Sequence, residues 1–234
     1  MSAAARTTRL AAAVLVPALA LSGCAAVKAV KTIHGDIEHN KATVSSFTQQ
    51  LQSSPAKPFR ATYVTTGSSP ATITYAVQPP NGLVFTDTPS GARSMTEYLV
   101  DARGVFECTV AVKRSRARPT CQKLGSIKEK AEQQLFDIYT PAHWVGFLRD
   151  FSLAAGFAGD HVTSSTKTVN GFSMNCVDFV AGGVPGRSTI CSTSQGLLGY
   201  VKVASDNAKF EITGYSATPP RALFAVPPHA KITK

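Results

Sequence analysis

From residue 59 onwards, apolar and polar residues alternate in short runs. Stretches at 59–66, 71–78, 83–88, 95–101, 105–112 and 119–124 are rich in Val, Ile, Thr, Tyr and Phe and are punctuated by Gly, Pro, Ser and Asn, so they predict six strands in quick succession. Five more are expected at 161–169, 172–181, 188–193, 198–205 and 209–216. Connections this short suit an antiparallel meander, because parallel neighbours need a crossover of about a dozen residues or more. The period changes to that of a helix in three places. Asp36 is placed to cap a helix ending near Leu51, with Ile37, Val44, Phe47 and Leu51 on one face and Ser53-Ser54-Pro55 as the stop. Ser126 and Glu129 form a capping box ahead of Ile127, Ala131, Leu135 and Ile138. Thr140-Pro141 opens a third helix, whose stripe of Trp144, Phe147, Leu148, Phe151 and Ala155 runs to the glycines at 156 and 159. The expected class is α+β, one antiparallel sheet of about eleven strands with three helices.

The N-terminus has a different pattern. Arg6 and Arg9 precede the apolar run Leu10 to Leu21, the layout of a secretory signal and too short for a spanning helix. Leu21-Ser22-Gly23-Cys24 then resembles the bacterial lipobox. That resemblance implies diacylglycerol on the thiol of Cys24, cleavage just before it, and two acyl chains as a stable membrane anchor. The ordinary alternative is a plain secretory signal with an incidental cysteine. The expected organisation is a signal peptide over 1–23, a lipidated tether over 24–35 and one domain over 36–234, outside the cytoplasmic membrane.

Composition and charge narrow the partners. With 44% hydrophobic and 16% charged residues, the chain is too apolar for disorder and too mixed for a polytopic membrane protein. The formal net charge is +10, and the chain stays basic after Arg6 and Arg9 leave with the signal. Such a surface favours anionic lipid headgroups. Nucleic acid is set aside, because no helix-turn-helix, RNP-like or zinc-finger pattern accompanies the charge. Lys113, Arg114, Arg116 and Arg118 gather at one hairpin tip and are headgroup-contact candidates, a solvated turn being the plainer reading.

Besides Cys24 there are four cysteines, an even number that suits an oxidising compartment and allows three connectivities. Cys108 and Cys121 bracket the polar run 113–118, while Cys176 and Cys191 bracket the turn residues 182–186. Pairing Cys108 with Cys121 and Cys176 with Cys191 is therefore expected. Zinc is disfavoured, since neither C-x-x-C spacing nor paired histidines are present. Ser164 to Lys167 match S-x-x-K but lack the companion motifs of a penicillin-binding-type nucleophile. His34, Asp36, Glu38 and His39 are the densest group of potential metal ligands and read as a solvated helix start. No enzyme, metal or cofactor is expected.

The order helix, six strands, two helices, five strands resembles the LolA-like lipoprotein-carrier family, the half-barrel lipoproteins of the LolA, LolB, LppX and LprG type. The stretches that carry it are FRATYVTTG, ITYAVQPPNGLVFTD, EYLVDARGVFECT, YTPAHWVGFLRDF, VNGFSMNCVDFVAG and YSATPPRALFAVPPHAKI. The resemblance implies a strongly curved antiparallel half-barrel whose helices cover the concave face over an apolar cavity. It further implies a lipid, lipoglycan or lipoprotein acyl ligand and a role in envelope transport. Trp144, Phe147, Leu148 and Phe151 are then candidates to close that cavity, core packing being the plainer role of such a stripe. The competing implication is an envelope protein-interaction or stress-sensing module of RseB-like type, with a protein partner and no lipid transfer.

Overall fold

The computed structural model describes residues 23–52, 57–80, 82–112, 117–125, 145–146, 148, 162–180, 186–204 and 208–233. One long helix, α1 (Gly23–Gln52), precedes six strands: β1 (Phe59–Thr66), β2 (Ala71–Gln78), β3 (Gly82–Pro89), β4 (Ser94–Asp101), β5 (Gly104–Ala111) and β6 (Thr120–Gly125). Five more follow, β7 (Thr163–Val169), β8 (Phe172–Phe179), β9 (Ser188–Thr193), β10 (Leu198–Lys202) and β11 (Lys209–Ser216). A 3-10 turn at Arg221–Phe224 then leads to β12 (Lys231–Thr233).

All twelve strands join one sheet in the order β12-β6-β5-β4-β3-β2-β1-β11-β10-β9-β8-β7. Two antiparallel meanders, β1 to β6 and β7 to β11, are joined where β1 pairs with β11. The sheet does not close. Register shifts at Thr62/Tyr63, Val105/Phe106 and Leu198/Tyr200 bend it, because an extra residue on one strand curves that strand and raises its twist. The result is an unclosed, curved sheet of half-barrel type.

The twelve strands among the described residues agree with the expected number of about eleven. Two expectations are corrected. β12 lies parallel to β6, so the sheet is not wholly antiparallel. Only three residues long, β12 is too short to leave a period-2 signature. The first helix begins at Gly23 instead of Asp36, so the segment expected as a tether is helical. Its residues Ala25, Ala26, Val27, Lys28, Ala29, Val30 and Lys31 contain no breaker, and Ala and Lys are strong helix formers. The helix expected from Ser126 lies outside the described residues. That expected from Pro141 is described only at Val145, Gly146 and Leu148.

Each half of the sheet is covered on a different face. α1 lays Val44, Phe47 and Leu51 against Val177 and Phe179 of β8, Ile190 of β9 and Leu198 and Val201 of β10. Those helix positions follow the i, i+3, i+7 rule for one face. Over β2 to β6 the opposite face, with Ala76, Val84, Leu99, Phe106 and the Cys108–Cys121 pair, is packed by Leu223, Phe224, Val226 and Ala230 of the C-terminal segment. Lys231 N–H donating to Pro119 O at 2.9 Å fixes the end of that segment beside β6.

Candidate functional site

The face that α1 covers at β8 to β10 continues through Phe210 of β11 onto β1 to β5. Val201 and Thr65 both lie opposite Phe210, and Tyr63 stacks on its ring at 4.3 Å between centroids. Directly opposed residues share a face, so the register reads this surface as three rows. The first is Phe59, Val77, Leu83, Val100 and Val105; the second Ala61, Tyr75, Phe85, Tyr98 and Glu107; the third Tyr63, Ile73, Asp87, Thr96 and Thr109. Phe59 meets Tyr75 edge-on at 5.6 Å, and Phe85 tilts against Tyr98 at 6.2 Å, both within the range where aromatic pairs attract. Phe59, Tyr63, Tyr75 and Phe85 are buried, whereas Val77, Leu83, Tyr98 and Val100 are only half-buried. The surface is thus a closed apolar floor at β1 that opens towards β3 and β4.

Its open end is polar. Asp87 Oδ1 is buried and has no hydrogen-bond partner among the described residues. The Tyr98 phenol is pushed up, first by burial and then by the negative charges of Glu107 and Asp87, and it is hydrogen-bonded to Glu107. Tyr63, deep in the floor, is also pushed up by burial. An apolar floor ending in two carboxylates and a phenol suits an amphiphile whose polar end donates hydrogen bonds. The aromatic residues belong to the strand pattern in the sequence. Their convergence with Asp87 and Glu107 depends on register, which spacing does not reveal.

The sequence candidates are distributed as follows. Cys108–Cys121 and Cys176–Cys191 are both bonded, with Cα atoms 4.0 and 3.9 Å apart, and each pair is directly opposed in its hairpin. Two such bonds suit an oxidising, extracytoplasmic compartment. Leu148 is 1% exposed and packs with Val44, Phe47, Leu51 and Val177, in the core beneath α1. Trp144, Phe147 and Phe151 lie outside the described residues, as do Lys113, Arg114 and Arg116; Arg118 is exposed. Cys24 is in the first turn of α1. Ser164 pairs with Val177 and Lys167 with Met174, which puts the two ends of the S-x-x-K match on opposite faces of β7. Glu38 accepts a hydrogen bond from Lys41 Nζ at 2.9 Å, which with the lysine's charge holds its carboxyl below the usual range. No three His, Cys, Asp or Glu residues converge on a common point among the described residues. No described helix is long and apolar enough to cross a membrane.

No family model matches this chain, and no curated protein matches it. Among solved structures, the chain is similar to MucB in its complex with MucA(peri), at 13% identity and a TM-score of 0.45. That likeness covers 82% of this chain and 61% of the other, so the chain spans less than two thirds of the length of the protein it resembles.

Proposed function

We propose that this chain is an exported lipoprotein, anchored through acylated Cys24, that binds the acyl part of a lipid, lipoglycan or lipoprotein for envelope transport. It acts by binding and not by catalysis. The observation that carries the reading is the half-buried set Val77, Leu83, Tyr98 and Val100, continuous with a buried aromatic floor and flanked by Asp87 and Glu107. Each methylene moved from water onto such a surface contributes up to about 0.8 kcal/mol, so affinity should rise with the length of the acyl chain. Asp87 Oδ1, buried without a partner, gains one from a donor on the ligand's polar end. A rigid α1 supports the anchor. Thirty helical residues span about 45 Å, and the helix residues packed into the core, Val44, Phe47 and Leu51, lie in its C-terminal half, so the helix can hold the domain away from the bilayer at its N-terminal end.

The test is uptake of a fluorescent acyl probe by delipidated protein, with organic extraction of the untreated protein for co-purifying lipid. Wild type is expected to bind. Leu83→Glu, on the half-buried part of the surface, is expected to stay folded by circular dichroism and to lose at least about tenfold in affinity, since an ionised group facing hydrocarbon is costly. A wild type that neither carries lipid nor takes up the probe overturns the reading in favour of the envelope protein-interaction module.

A further inference from the structure

The strand β7 ends the described sheet, and almost all of it is exposed. Six of its seven residues, Thr163 to Thr168, are exposed, and Val169 is half-buried. Its pairing with β8 runs through seven consecutive partners with no bulge, and it contains no proline. Natural sheets usually blunt such an edge with a bulge, a proline or an outward lysine, because unpaired N–H and C=O groups are a template for another strand. The only charge on β7, Lys167, does not serve that purpose. Its Nζ lies 4.4 Å from the centre of the Tyr200 ring on β10, folded back across the sheet. What faces outward is a straight backbone edge carrying hydroxyls.

We propose that this edge joins two copies of the chain, β7 to β7, in an antiparallel two-fold pair centred on Thr166. The sequence of the strand, TSSTKTV, carries the choice of partner. In that register all seven residues find a partner: Thr163 faces Val169, Ser164 faces Thr168, Ser165 faces Lys167, and Thr166 faces itself. Ser and Thr opposite one another contribute favourably, and no like charges meet. Lys167 of each copy faces Ser165 of the other with its ammonium drawn back over its own Tyr200 ring and away from the seam, so pairing brings no β7 cation against another in a chain of net charge +10. Space is available on the α1 side. Ser164 and Thr166 border an open groove of about 440 Å³ walled by Thr43, Ser46, Phe47 and Gln50 of α1, so α1 does not close over β7 on that side. The contact is isologous and closes at two copies.

The experiment uses the full chain with Cys24→Ala, which removes the anchor site and the one cysteine outside the two disulfides. Thr166→Cys is expected to give a disulfide-linked dimer on a non-reducing gel. Ser164→Cys and Thr168→Cys are expected to remain largely unlinked when separate and to link when mixed. By sedimentation velocity the parent chain is expected to be dimeric. Thr166→Lys and Thr166→Glu are each expected to be monomeric, and their mixture to recover the dimer. Circular dichroism checks that both remain folded, as an exposed position predicts. A parent chain that is monomeric across the accessible concentrations overturns the proposal. So does a dimer unaffected by either charge at Thr166, which would place the contact elsewhere.

Discussion

Oδ1 of Asn40 accepts the backbone N–H of Val162 at 2.8 Å, linking α1 to the entry of β7 across 122 residues, at a site where Asn40 is fully buried. A buried amide N–H left without a partner costs about 1–3 kcal/mol, more than the bond contributes while intact. Asn40→Ala is therefore expected to destabilise the domain by about that amount in urea denaturation. Asn40→Asp keeps an oxygen at the same place and should lose less at low pH, where the carboxyl is neutral, than at neutral pH, where a buried charge is added. Equal losses for both variants at all pH values would show that the oxygen accepting from Val162 does not set the cost, since Asp keeps it and Ala removes it.

Glu97 shares a row with Thr86 and Cys108 on the face under the C-terminal segment, and burial pushes its carboxyl up to about 7. The folded protein then holds this proton over a range where the unfolded chain has lost it. Stability should fall as pH rises from about 4.5 through 7 and level off above, by an amount on the order of 2 kcal/mol after allowing for residual solvent screening. Glu97→Gln is expected to match the wild type near pH 4.5, to exceed it at pH 8, and to flatten the profile between. Chemical denaturation at those two pH values measures the difference. A variant whose profile parallels that of the wild type would assign the pH dependence to another group.

Much of this architecture is legible in the sequence. The expected runs at 59–66, 71–78, 188–193 and 209–216 coincide with β1, β2, β9 and β11. Period-2 alternation and turn residues are local signals, and each of these strands carries both. What spacing does not encode is the partnering of distant strands. The β1 to β11 junction, with Tyr63 opposite Ile212, joins segments nearly 150 residues apart, and only that junction makes Phe210 and Tyr63 neighbours. Asn40 escapes for a related reason: it occupies the buried helix face four residues before Val44, but a polar side chain there has no place in an apolar stripe. Asp87 and Glu107 look like ordinary charges of alternating strands until register puts them around Tyr98. The disulfides are the opposite case, because a hairpin makes the partner local.

Cys176 and Cys191 are 2% and 0% exposed, and the same is true in kind of Cys108 and Cys121, both at 0%. Neither bond is open to a reductant in the folded domain. Alkylation under mild reducing conditions should therefore be slow and should track unfolding, all four thiols reacting together only once denaturant is added. Replacing both cysteines of either pair by Ala should cost roughly 3 kcal/mol, from loops of 13 and 15 residues, measurable as a lower denaturation midpoint. Rapid alkylation of one pair in the native protein would show that its hairpin opens locally.

Cys24 stands in the first turn of α1, sixteen residues ahead of the fully buried Asn40. That separation decouples anchoring from folding. Cys24→Ala is expected to move the protein from the membrane fraction to the soluble fraction while its thermal midpoint stays unchanged, because the α1 residues packed in the core, Val44, Phe47 and Leu51, lie at least twenty residues further along the helix. Two acyl chains give stable attachment where one gives only reversible binding, so loss of the thiol should be decisive and not partial. Mass spectrometry of the wild type should show an N-terminal residue at Cys24 carrying the lipid mass. If Cys24→Ala stays with the membrane and the wild type carries no acyl mass, the basic surface is the attachment, and raising the salt concentration should then release both proteins alike.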